Sequence, residues 1–412
     1  MHQHQHYTYI LIASKIHSLI SKITDPRHRD LTQALIATAF VGAAAGIFSS
    51  MMNNYLVQVH HLDAGARGWL EFPRELPGFM MMFVAGLLLT LLRETQMAAL
   101  AMLFSVAGAL GYGYLAPGTA LLVVWTMIWS LGDHIIFAVE GPIGLKLARE
   151  GGEGKRLGQF GGARNLGTIA GVGLVFILAK LLGDQFGLFY TLAAGSALVA
   201  GILYWRLKIG RDHPRSRRIV LKKKYGLFYA ISALFGIRKQ IFLVFGGWVL
   251  VSLHGVSVAT IALLYFIAAS LGVVFRPLLG EVIDWLGERV VLSVDELILV
   301  LVCLTYAFAS DLLRAPYDLY LLFATYILDN VLFALRVART TYLKKIADDP
   351  ADITPSISTG IAIDHSVAMT LPVFSGYVWE TWGFRWVFLI AAGIALAGFF
   401  LCLRIRVPKS NT

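Results

Sequence analysis

The chain has 412 residues, 57% hydrophobic and 15% charged, and its 35 Lys and Arg against 25 Asp and Glu give a formal charge of +10. A soluble domain is about 45–50% apolar and about 25% charged, so this composition excludes a disordered chain and a disulfide-stapled secreted scaffold, and it makes lipid the solvent for much of the surface. The basic residues fall in short loops rather than on one long face, which argues against a nucleic-acid partner, and Cys303 and Cys402 lie in separate apolar runs.

Residues 1–28 read as a cytoplasmic or interfacial segment. Between Tyr7 and Ile23, apolar residues alternate with Ser, Lys and His at helical spacing, as in a helix lying on a membrane surface. The apolar piece at 9–13 is too short for a signal peptide. Twelve segments of about 20 mostly apolar residues follow. Their predicted spans are 31–56, 70–92, 96–115, 119–147, 157–182 and 186–205, then 225–250, 257–279, 290–310, 316–343, 355–378 and 384–404. The expected architecture is an all-α membrane protein with two six-helix lobes, 29–205 and 225–405, and a short tail, 406–412. The linker between the lobes, 206–224, carries nine basic residues against one acid, Asp212. The loops Lys146–Arg156, Gly287–Arg289 and Lys344–Lys345 are also basic or mixed, whereas those near 116–118, 183–185 and 251–256 carry almost no Lys or Arg. The positive-inside rule therefore places both termini in the cytoplasm, in a plasma or inner membrane. A monomer is expected.

The halves repeat weakly. AAGSALVAGILYWRLKI (193–209) matches AAGIALAGFFLCLRIRV (391–407) at seven positions, and DHIIFAVE (133–140) resembles DNVLFALR (329–336). Parallel six-helix repeats are one known build of secondary transporters.

Charge inside a span costs at least a few kcal/mol, so each instance asks for a reason. Asn53 and Asn54 in span 1 are uncharged hydrogen-bonding candidates for a cavity. Span 2 opens with GWLEFPRELPG, where Glu71, Arg74 and Glu75 share a helical face, either as an outer salt-bridge cluster or as an external gate. Span 4 carries Asp133-His134 and then Glu140, seven residues on and hence on the same face as Asp133. Span 5 has Arg164-Asn165, preceded by Gly158, Gly161 and Gly162 and followed by Gly167; with no strand before them, these glycines point to close helix packing rather than a phosphate loop. Span 7 holds Arg238-Lys239-Gln240 at mid-depth; one cation is expected to meet cargo and the other an acidic neighbour. Span 10 carries Asp329-Asn330, Arg336 and Arg339, and span 11 Asp364-His365. Spans 3, 6 and 12 are essentially free of interior charge.

Asn53, Asn54, Asp133, His134, Arg238, Lys239, Gln240, Asp329 and Asn330 are thus the candidate substrate residues. Asp133, His134, Asp364 and His365 are candidate proton carriers, because a His beside a carboxylate titrates near neutrality. Glu71, Arg74, Glu75, Glu140, Arg164, Arg336 and Arg339 are expected to gate or to pair.

This distribution resembles the major facilitator superfamily. Gly280, Asp284, Gly287 and Arg289 within GEVIDWLGER look like that family's G-x-x-x-D-x-x-G-x-R loop. The resemblance implies a fold in which the third helix of each triplet lies outside and the first helices line a central cavity. It also implies that this loop latches the cytoplasmic side, with Asp284 facing a helix end and a neighbouring Arg. The chain departs from the pattern in the equivalent first-half loop, which lacks the Asp, and in span 4, where Asp133-His134 stands without the family's arginine.

No metalloprotease, nucleophile-elbow, Cys/His metal or Walker sequence is present, so no enzyme and no cofactor is expected, and the energy must come from a gradient. The leading expectation is a secondary active transporter moving a small organic molecule, taken to be anionic, by alternating access coupled to protons. The alternative within transport is efflux of cationic or amphipathic compounds. A membrane receptor or enzyme on a transporter-like fold is the alternative from another class.

Overall fold

In the computed structural model, residues 26–209 and 221–407 are described. The surface helix expected at Tyr7–Ile23, most of the basic linker and the end of the tail lie outside them. The described residues are almost wholly helical. The first lobe comprises α1 (Pro26–Gln58), α2 (Ala64–Leu91), α3 (Glu94–Tyr114), α4 (Thr119–Lys146), α5 (Glu153–Leu182) and α6 (Phe186–Arg206). The second starts with α7 (Lys223–Leu253). One helical element, Val258–Leu312, breaks at Gly287 into α8 (258–286) and α9 (288–312). Then come α10 (Tyr317–Ile346), α11 (Ile353–Trp382) and α12 (Phe384–Cys402). Ten helical stretches among the described residues are long and apolar enough to cross a membrane, and the 55-residue α8–α9 stretch has the length of two crossings.

Several elements differ from their predicted extents for local reasons. α2 starts six residues before the predicted 70, because Asp63 Oδ1 accepts from Ala66 N at 2.7 Å and caps the helix. The polar segment between spans 8 and 9 forms no open loop. Both sides stay helical, and the chain turns at Gly287 alone, whose φ of +78° suits glycine. α7 widens into π turns at Phe242–Gly246 and Val249–Leu253. There Gly247 lets α1 approach: a Cβ on it would lie 2.8 Å from Asn53 Nδ2. In α10 a 3₁₀ turn, Phe333–Leu335, separates Asp329 from Arg336. Tighter winding over three residues turns Arg336 by about 60° relative to an unbroken α-helix.

Small residues bring α1 and α5 together. A Cβ on Gly42 would sit 2.0 Å from Arg164 O, and one on Gly167 1.7 Å from Ala39 O. Gly158, Gly161 and Gly162, expected to pack in the same way, meet nothing within 4 Å.

The lobes touch toward one end. Asn54 Nδ2 donates to Val256 O at 2.7 Å. Glu380 Oε1 accepts from Ala64 N at 3.1 Å and Gly65 N at 3.2 Å, at the start of α2. A Cβ on Gly68 would lie 2.2 Å from Pro372 O. Toward mid-depth, Asn165 Nδ2 donates to Ala269 O at 3.2 Å and His365 meets Glu75. All of these contacts lie at that end or at mid-depth. The end bearing the α1–α2 turn, where these contacts gather, is the closed end, and the end bearing the α8–α9 turn, beyond them, is called the open end below.

Candidate functional site

Three layers of polar residues lie between or beside the lobes. The first lines a cavity of about 100 Å³ below the closed end, bounded by Phe48, Asn53, Arg67, Arg74, Asp133 and Tyr265 among others. Phe48 and Trp129 stack there with ring centres 3.9 Å apart. Arg67, missed by the sequence reading because it precedes the predicted span, is 1% exposed. It binds Glu71 at 2.5 Å and Asn53 Oδ1 at 3.2 Å. Arg74 binds Glu71 and Glu75, both at 2.6 Å. Gln240 donates from the second lobe to Glu71 at 2.8 Å. Glu71, Arg74 and Glu75 thus form a buried network crossing the lobes. Both arginines are satisfied within it, while Asp133 makes no hydrogen bond or salt bridge among the described residues. Asn54 is fully buried and bonds the α7–α8 turn instead of the cavity.

The second layer is a cluster at the threshold between closed and open halves. His365 Nδ1 lies 2.9 Å from Glu75 Oε2, and His134 Nε2 3.9 Å from the same oxygen. The two imidazole centres are 5.1 Å apart. The Asp-His dipeptides of spans 4 and 11 therefore bring their histidines together, although their aspartates part: Asp133 faces the cavity, and Asp364 packs against α7, with Oδ1 2.6 Å from where a Gly236 Cβ would be.

The third layer faces the open end. Glu140 and Arg164 form a multidentate pair between α4 and α5, with Arg164 also over the Phe137 ring. Arg336 lies within electrostatic range of Arg276, Asp364 and, across the gap, Arg164. Arg339 stacks on Phe235 at 3.8 Å and is near Asp364. Arg339 is also within electrostatic range of Asp295, which Arg238 engages.

Arg238 belongs to none of these layers. It is 4% exposed and turned into the second lobe, 2.6 Å from Asp295 and 3.4 Å from Asp329. Asp295 lies near the start of α9, close to the Gly287 turn. The Lys239 side chain lies outside the described residues. Asn330 bonds its own helix at Tyr326 O, 2.9 Å away. In the α8–α9 segment, Gly280, Asp284 and Arg289 are exposed, Gly287 makes the turn, and the buried Glu288 pairs with an exposed Lys345 at 2.6 Å.

A helical protein with a polar cavity between two six-helix groups, closed at one end, has the build of a membrane transporter. The Major Facilitator Superfamily model matches residues 34–347, and the chain belongs to that family. No curated protein sequence matches it. Among solved structures, the nucleoside transporter NupG is similar at TM-score 0.73 and 13% identity, covering 91% of this chain and 98% of that one. A bacterial homologue of the human lysosomal transporter Spinster, inward-facing and occupied, gives 0.71 and 14%, covering 93% and 98%. A D-xylose–proton symporter gives 0.69 and 16%, covering 92% and 98%. At such identities these likenesses concern the fold.

Proposed function

We propose that this transporter moves a small organic anion by alternating access, with its termini in the cytoplasm. The observation that carries the reading is the charge surplus at the open end. Arg276, Arg336 and Arg339 gather on α8 and α10 of one lobe, where Asp364 acts on Arg336 and Arg339 while Asp295, also in range of Arg339, is engaged by Arg238, and they face an Arg164 already held by Glu140. Clustered guanidiniums concentrate anions and grip carboxylate or phosphate bidentately. Proton coupling is carried over as part of the proposal from the D-xylose–proton symporter among the structural neighbours.

Counterflow of labelled compounds in liposomes tests it. An anionic ligand should exchange, and Arg336→Gln should weaken its binding about tenfold, the scale of one charge-assisted contact at about 1.5–3 kcal/mol. An imposed pH gradient should drive net uptake.

A second reading rests on Asp133, a cavity carboxylate without a salt-bridge partner beside the stacked Phe48 and Trp129. It favours an amphipathic cation. A screen returning only cations, with binding lost in Asp133→Asn and indifferent to Arg336→Gln, would sink the anion reading in its favour.

A further inference from the structure

We propose that Glu75, His134 and His365 form a binding site for a divalent transition-metal ion of the Zn2+ class, and that the bound ion staples α2 and α4 to α11. Their donor atoms all lie within 4.8 Å of one another. Two imidazole nitrogens and a carboxylate oxygen are the donor set of a three-residue zinc site with water in the fourth position.

The surroundings orient two of the three donors, while His365 reaches Glu75 Oε2 through Nδ1–H, a proton that metal binding would displace. His134 Nδ1 donates to Ser130 O at 2.8 Å, with Ser130 Oγ 3.0 Å away. That bond fixes the tautomer and leaves the Nε2 lone pair facing Glu75 Oε2, as in metal-ligating histidines held by an outer carbonyl. The 3.9 Å between those two acceptors is too long for a hydrogen bond and close to the edge of a zinc tetrahedron, about 3.3 Å for bonds of about 2.0–2.1 Å. Glu75 Oε1 is held by Arg74 at 2.6 Å, which turns Oε2 toward both imidazoles. Gly78 makes the room, since a Cβ there would lie 2.3 Å from His134 Nε2. The neighbouring charges suit a cation: Glu71, Glu75 and Asp133 outnumber Arg67 and Arg74.

Because Glu75 and His134 belong to one lobe and His365 to the other, occupancy ties the lobes near mid-depth. A bound ion therefore holds the closed end shut and arrests alternation.

The test needs no cargo and is independent of the transport reading. The full-length protein carries His2→Gln, His4→Gln and His6→Gln, to remove the N-terminal histidines as competitors, and is titrated in detergent with Co2+. One equivalent should give the intense visible absorption of tetrahedral cobalt, bleached by Zn2+, and Zn2+ should raise the unfolding midpoint. His134→Gln and His365→Gln should each abolish the band. Ser130→Ala, which keeps every ligand and also the main-chain carbonyl that orients His134, should retain the band. Elution as a single species checks that each variant is folded. A missing band in the parent, or a band unchanged in both His variants, overturns the site.

Discussion

At the scale of single residues, the sequence marked Arg238 as costly, and the structure shows what offsets the cost. The spacing of Asp295 and Asp329 on α9 and α10 delivers two carboxylates to one guanidinium inside a lobe. Removing one partner of a buried charge set leaves the others uncompensated, at about 3–5 kcal/mol. Arg238→Ala should therefore lower thermal stability in detergent by that order and leave ligand binding unchanged in the molecules that stay folded. A stable variant with weakened ligand binding would return Arg238 to the cargo site.

At the scale of helices, contact distance sorts the glycines that look alike in sequence. Gly167→Ala drives a methyl into the backbone of α1, so α1 and α5 must separate, at a cost of about 1–3 kcal/mol or more. Gly161→Ala meets open space and gains helix propensity, up to about 1 kcal/mol. Opposite signs of the two shifts in unfolding midpoint are the expected result. The start of α7 offers a pH test outside the membrane. The hydrogen bond from Lys222, then that from Tyr225, holds the Asp352 carboxyl below its usual range, and the same bond holds Lys222 above its own. A depressed carboxyl adds stability above its unfolded pKa and loses it as pH falls through the folded value. A raised lysine does the reverse, losing its part as pH rises through its folded value. Docking of 222–225 on 348–352 should be tightest near neutrality and loosen in acid. Hydrogen exchange of these amides against pH checks it, and rates flat across the acid range, after correction for intrinsic exchange, would refute it.

At the scale of the whole molecule, two devices at opposite ends should have opposite effects. Glu380 accepts the first amides of α2 across the lobes, where a carboxylate also meets the positive end of the helix. Its loss is worth about 1 kcal/mol, so Glu380→Ala should shift the conformational balance about fivefold away from this closed end, read as faster labelling of a cysteine introduced there. Asp284 is exposed in this open-ended form, so Asp284→Asn should leave ligand binding intact and slow transport, if it latches the other form. Unchanged transport would remove the latch.

Composition and apolar run length determined the solvent, the helical class and the approximate spans, because burying a helix in lipid is a property of about 20 consecutive residues. Loop chemistry marked the turn at Gly287, whose φ glycine adopts readily. What a single residue faces was beyond the sequence. Asp133-His134 and Asp364-His365 look equivalent along the chain, yet their histidines converge on Glu75 while their aspartates diverge. Arg238 and Arg336 are both interior cations, yet one is enclosed by acids and the other is not. Such outcomes depend on helix rotation, on the 3₁₀ and π turns that alter it, and on which lobe lies opposite. All three are fixed by contacts between residues as far apart as Glu75 and His365, which only the tertiary structure brings within bonding distance.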